Sequence, residues 1–216
     1  MKIVPSLLAE TFEDFVLRLR QAESFTDYVQ VDMMDGIFVN SKSFPPERIN
    51  AASTSLAFEA HLMVEDPRDY LNRIDNRALR KVIFHFEAKG DHAAVVTAIR
   101  RRGLGAGMAI KPGTEIREFR EMARQVDTLL FLTVDPGRYG SPFKPEVQKK
   151  VEETRSIFPD KVIGVDGGVS LDNLQMFYTI GVDYVCVGSR IFLHGRSGDN
   201  YRLFLARLSE FEKAAH

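Results

Sequence analysis

Two aspartates stand where a strand would hand an acid to a cleft. Asp32 follows the apolar, β-prone run YVQV at residues 28–31, Asp166 follows VIGV at residues 162–165, and glycine comes close behind both, with a further carboxylate, Asp35, just beyond the first. Two carboxylates on opposite sides of a substrate can take a proton from one face and return one to the other. That is the chemistry of epimerisation or isomerisation through a planar intermediate, and a partly buried cleft raises carboxyl pKa values into a useful range. For Asp166 alone, Asp-Gly-Gly is also an ordinary turn signal; for Asp32, inside VDMMDG, a turn explains less. His61 closes a third run, AFEAH. Alone it reads as a hydrogen-bonded structural residue, but with Asp32 and Asp166 it completes a donor set for a divalent metal, whose Lewis acidity would stabilise an oxyanion beside the reacting carbon. Gln30 occupies the position two before Asp32, where a histidine would have strengthened that set. His85, in VIFHFEA, reads as structural.

Three glycine turns supply a second kind of chemistry. VDPGRYGS, DGGV and VGSR place Gly137, Gly140 and Ser141, then Gly167 and Gly168, then Gly188 and Ser189, after successive apolar runs. Glycine lets backbone N–H groups approach an anion closely, and the last loops of a barrel commonly hold phosphate, although each turn alone is only a turn. Arg138 adds a charge to the first loop or is simply solvated. Met33, Met34 and Met63 flank the proposed acids, either as core or as an apolar lining that keeps water from the reacting carbon.

These residues need a frame that brings their run-ends together. Short apolar runs at residues 2–6, 28–32, 57–61, 81–85, 106–110, 128–133, 161–165 and 184–188 alternate with segments of helical spacing at residues 12–22, 67–74, 92–101, 115–123, 145–158, 171–178 and 200–213. Eight such units in 216 residues predict a closed (β/α)8 barrel in a single domain spanning residues 1–216, with an open doubly wound sheet as the alternative. In a barrel the carboxyl ends of the strands share one face, and they would carry Ser6, Asp32, His61, His85, Lys111, Thr133 and Asp166. A composition of 44% hydrophobic and 27% charged residues with a formal charge of −1 offers no basic surface for nucleic acid. The single cysteine, Cys186, excludes an intramolecular disulfide, fits a reducing compartment and reads as core. No segment approaches the apolar length of a membrane span, so the default location is the cytoplasm.

The motifs PSLLAETF, VDMMDGIFV, EAHLMVEDP, FHFEA, GMAIKPGT, LTVDPGRYG, VDGGV and VCVGSRIF occur in the order and at the spacing of the ribulose-phosphate 3-epimerase family, which the chain resembles over residues 6–192. The resemblance implies a (β/α)8 barrel of pentose phosphate metabolism that interconverts ribulose 5-phosphate and xylulose 5-phosphate by moving a proton at C3. It further implies Asp32 and Asp166 as the acid/base pair, Ser6 as the serine of the first motif and the phosphate on the glycine turns, and beside these residues His61, Met34 and Met63 are read as further lining of the sugar-phosphate site. It also implies a divalent metal, commonly zinc, on His61, the two aspartates and a second histidine, and homo-oligomers. The second histidine is replaced here by Gln30. An amide oxygen is a weaker and harder ligand than imidazole, which shifts the expectation from zinc toward manganese, magnesium or iron, or toward no metal. Phe38-Val39-Asn40-Ser41, Leu132 and Gly137-Arg138-Tyr139-Gly140-Ser141 also depart from the family's usual motifs. Those changes leave open another ketose phosphate, such as a ketohexose 6-phosphate, or a paralogue that binds a sugar phosphate without epimerising it. Decarboxylases and synthases of similar barrels carry a lysine in place of Asp32 and match poorly.

Overall fold

Every apolar run forms a strand, and the strands meet in one closed ring. In the computed structural model, which describes residues 1–137 and 140–214, the strands are β1 (Lys2–Leu8), β2 (Tyr28–Met34), β3 (Ala57–Met63), β4 (Leu79–His85), β5 (Gly105–Ile110), β6 (Thr128–Leu132), β7 (Val162–Asp166) and β8 (Tyr184–Val187). All pair in parallel in chain order, and β8 returns to β1 through Lys2↔Tyr184 to Pro5↔Val187. The expected (β/α)8 barrel is therefore the fold, and the open sheet is excluded.

The helices are α1 (Phe12–Ala22), α2 (Pro67–Arg73), α3 (His92–Arg101), α4 (Ile116–Ala123), α5 (Val147–Ile157), α6 (Leu174–Thr179), α7 (Ser189–Phe192) and α8 (Ser197–Ala214). Their starts follow capping chemistry. The Thr11 hydroxyl accepts from the Asp14 N–H, the Asp91 carboxylate from the Ala94 N–H, and Asp66 caps α2 just before Pro67. α1 lays Phe15, Leu19 and Ala22 against the barrel at i, i+4, i+7 spacing. After β2 the chain makes only a 3₁₀ turn, Pro46–Ala51. The short α7 lies where only a VGSR turn was expected.

Strand pleating sorts the side chains. On β2, Val29, Val31 and Met33 point outward into the core shared with the helices, whereas Gln30 and Asp32 point into the barrel. The barrel interior is filled by Val4, Ile83, Ala109, Leu130, Leu132, Tyr184 and Cys186. Space there is tight: a Cβ on Gly164 would lie 2.3 Å from the Tyr184 ring, so only glycine lets that ring cross the interior.

β1, β2 and β3 each continue two residues beyond Ser6, Asp32 and His61, in the register Leu8↔Asp32 and Asp32↔His61. The apolar residues that follow the polar ones, such as Met33–Leu62 and Met34–Met63, keep the ladder going. As a result the three polar residues sit inside the barrel mouth, not at its rim.

Candidate active site

β2 and β7 are three strands apart around the ring, yet both aspartates reach the axis because both face inward. Gln30 joins them: its Nε2 donates to Asp32 Oδ1 at 2.9 Å and to Asp166 Oδ2 at 2.9 Å. His61 sits beside the same two oxygens, its Nδ1 2.9 Å from Asp32 Oδ1 and 3.3 Å from Asp166 Oδ2. The Ser6 hydroxyl donates to the other oxygen of Asp32 at 2.5 Å. Gln30 and His61 are fully buried, Asp32 is 4% exposed, and Asp166 is open enough to meet solvent. One donor atom from each of Asp32, His61 and Asp166 lies within 4.8 Å of the other two, which is the convergence a metal ion would need.

The charges follow from the partners. Burial raises the Asp32 carboxyl, helped by the neighbouring Asp166 charge, while hydrogen bonds from His61 and Ser6 oppose the rise. Burial disfavours a charge on His61, but the carboxylates of Asp166 and Asp32 outweigh it and lift the imidazole to about 9. His61 is therefore an imidazolium at neutral pH, offsetting two acids. Its Nε2–H donates to His85 Nε2 at 3.0 Å, a nitrogen free to accept because burial, with the His61 charge, lowers His85 to about 4. The Nδ1–H of His85 in turn donates to Glu87 at 3.2 Å. Although burial disfavours its charge, Glu87 is held at about 2, because it also accepts from the Thr114 hydroxyl and the Lys111 N–H. A chain of hydrogen bonds thus runs from the partly buried carboxylate of Glu87 through two buried imidazoles to the paired aspartates.

Above the acids is a cavity enclosing about 530 Å³, its open mouth included. Ser6, Asp32, Asp166 and Met63 form its floor and wall, and the turns at Gly137, Gly140–Ser141, Gly167–Gly168 and Gly188–Ser189 form its rim. Gly167 has φ +100°, and a Cβ there would lie 2.3 Å from Val134, so the β7 turn can close over the site only with glycine. Not every singled-out residue reaches this space. His61 lies beneath the acids, and Met34 is fully buried with Val39 and Met63. Met33 belongs to the core outside the barrel. Arg138 and Tyr139 lie outside the described residues. Asp35 turns away from the acids: it accepts from the Ile37 and Phe38 N–H groups and from that of Glu65, fixing the β2 loop. The Thr133 hydroxyl donates to the carbonyls of Asp166 and Gly167, holding the β7 turn.

Two participants escaped the reading of the sequence. Glu87 is separated from His85 by one residue, and that i, i+2 spacing at a strand end was the available signal that both face the same way. Cys186, read as core, is buried but also directs its thiol at Gln30 Oε1, 3.1 Å away. Burial raises that thiol well above its ordinary value, so it carries the proton it donates.

The chain is similar in sequence and in fold to known proteins. The model of the ribulose-phosphate 3 epimerase family matches residues 2–192. The ribulose-phosphate 3-epimerase of Schizosaccharomyces pombe is 31% identical over 202 residues, covering 91% of this chain and 88% of that one. The cytoplasmic isoform from Oryza sativa subsp. japonica is 29% identical over 205 residues, covering 92% and 90%. Among solved structures, KGPDC from Streptococcus mutans in complex with D-R5P superposes with a TM-score of 0.70 at 11% identity, covering 96% and 97% of the two chains, a likeness of fold alone. No helix among the described residues is long and apolar enough to cross a membrane.

Proposed function

We propose that this chain, which belongs to the ribulose-phosphate 3-epimerase family of isomerases, interconverts D-ribulose 5-phosphate and D-xylulose 5-phosphate by passing protons between C3 of the ketose and the pair Asp32 and Asp166. The observation that carries this reading is that the two carboxylates, from distant strands, share Gln30 Nε2 and His61 Nδ1 and open into the same glycine-rimmed cavity. One aspartate, ionised, takes the C3 proton. The electron pair of the broken C–H bond moves toward the C2 carbonyl to give a planar enediolate, and the other aspartate, protonated, delivers its proton to the opposite face. Each turnover exchanges the protonation of the pair, so the same residues serve both directions. Asp32, its carboxyl raised by burial and by Asp166, suits the protonated member when the reaction starts from that side.

The imidazolium of His61 offsets the paired carboxylates from below, and Ser6 fixes the far oxygen of Asp32. Backbone N–H groups of the glycine turns suit the phosphate, and Met63 keeps part of the wall dry. Asp32 and Asp166, with His61 once it gives up its Nδ1 proton, would offer three lone pairs to a divalent ion, whether zinc, manganese, magnesium or iron. Such an ion, when bound, would supply Lewis-acid stabilisation of the enediolate oxygens. The fourth corner offers N–H groups in place of a lone pair, because Gln30 directs its amide nitrogen there. A cytoplasmic location, as named for the rice relative, and self-association complete the reading.

Incubation with ribulose 5-phosphate in D2O tests it. Deuterium should enter C3, and xylulose 5-phosphate should form. Exchange only with a ketohexose 6-phosphate would move the substrate and keep the chemistry. No exchange with any ketose phosphate, with or without added divalent ions, would sink the epimerase reading.

A further inference from the structure

Gln30 is fixed at both ends. Its backbone is locked between Ser6 of β1 and Glu59 of β3, and its side chain is fully buried. Oε1 accepts from the Cys186 thiol at 3.1 Å, while Nε2 donates one hydrogen to each aspartate at 2.9 Å and lies 3.5 Å from His61 Nδ1. Turning the amide over would set its oxygen against two carboxylates and forfeit both charge-assisted hydrogen bonds. The three atoms that contact Nε2 belong to the three side chains that would hold a metal ion. An ion at an ordinary ligand distance of about 2.0–2.2 Å from these donors would press on a nitrogen that has no lone pair to give.

We propose that the Gln30 carboxamide is an internal competitor for the cation position: its N–H₂ group bridges Asp32 and Asp166 in place of a metal ion and keeps the site assembled without one. Two carboxylates held close together normally attract a cation because they repel each other. Here the amide already relieves that repulsion, so a cation must displace two hydrogen bonds before it gains its own contacts. Cys186 contributes by holding the amide oxygen turned away.

The sign of a single substitution separates competitor from ligand. Calorimetric titration of dialysed, chelator-treated protein with zinc and with manganese should show weak binding to the wild type. Gln30→Ala should bind these ions at least about tenfold more tightly, the equivalent of one lost charge-assisted hydrogen bond. Gln30→His, which adds a lone pair, should bind zinc more tightly still. Weaker or unchanged binding in Gln30→Ala would overturn the proposal, as would wild-type protein that keeps one equivalent of metal through dialysis. Should Gln30→Ala not fold, the wild-type side-chain amide gives a second reading by ¹⁵N NMR. Its two N–H resonances should be protected from exchange and lost or strongly shifted on saturation with zinc; zinc bound at the aspartates with those resonances unmoved would also refute competition. The inference rests on the proposed site, but the readout is cation binding, so it can fail while proton exchange at C3 succeeds, and the reverse.

Discussion

The barrel interior holds two polar clusters only two residues apart along the same strands. In the lower one, Glu59 accepts from the Tyr28 hydroxyl at 3.1 Å and pairs with Lys81 at 3.0 Å, and the Lys81 ammonium lies 5.1 Å from the centre of the Tyr184 ring. In the upper one, Asp32 and Asp166 share one imidazole and one amide beneath an open cavity. The lower cluster matches one acid with one base and is closed off from solvent on the Glu59 side, where exposure is 1%. The upper cluster has two acids, one of them with its carboxyl raised, and access to the outside. The charges of the lower cluster cancel, although Glu59 Oε1 and the Tyr184 hydroxyl are buried there without a hydrogen-bond partner among the described residues. A surplus carboxylate beside a cavity keeps a proton acceptor available, and this asymmetry distinguishes the two clusters better than burial does, since both are largely buried.

Three experiments would break or sharpen the contrast. The largest effect belongs to the upper cluster: Asp32→Asn or Asp166→Asn should reduce turnover by about a thousandfold, the scale of a lost general acid or base. Calorimetry with the sugar phosphate should show binding largely retained, and near-normal rates in either variant would refute the two-acid mechanism. The lower cluster should respond in stability. Lys81→Met leaves Glu59 buried without its cation and should cost about 3 kcal/mol in urea unfolding, with KM for the ketose phosphate unchanged. A large loss of turnover with no loss of stability would mean that the two clusters are not separate. The smallest effect is expected at Glu87, at the far end of the histidine chain. Its pKa falls on folding from 4.5 to about 2, so its stabilisation is complete above about 4.5 and is lost as pH falls through about 2. Glu87→Gln should lower stability by about 1–2 kcal/mol at neutral pH and flatten the acid limb of a thermal melting series. An acid limb identical to the wild type would remove Glu87 from the chain.

Much of the site was legible because polar residues are conspicuous inside apolar runs. Asp32 after YVQV and His61 after AFEA could be assigned to strands and to one face of a barrel, and Gln30 stood out between them. What failed was depth. β1 to β3 run on past their polar residues because the following pairs, such as Met33–Leu62, are as apolar as the preceding ones. Local composition therefore gave no reason to bury Ser6, Asp32 and His61 two residues within the mouth. Asp35 carries the same carboxylate as Asp32, and only its three backbone donors distinguish it as a loop clasp. Glu87 was missed although its i, i+2 spacing from His85 was there to be read, and Cys186 because a contact with a side chain 156 residues away has no local signature.

The amino-acid sequence by itself determined the eight strands, the family, and the presence of two acids, an imidazole and an amide within or at the ends of those strands. Those are consequences of local pattern, since apolar periodicity and turn residues act over a few positions. The tertiary structure alone decided that Gln30 would meet Asp166, 136 residues further along the chain, and which end of its amide would face the acids. The reason is closure of the ring. Only when β8 pairs with β1 do β7 and β2 approach the same axis, bringing one carboxylate from each side to one nitrogen and the Cys186 thiol to the oxygen behind it.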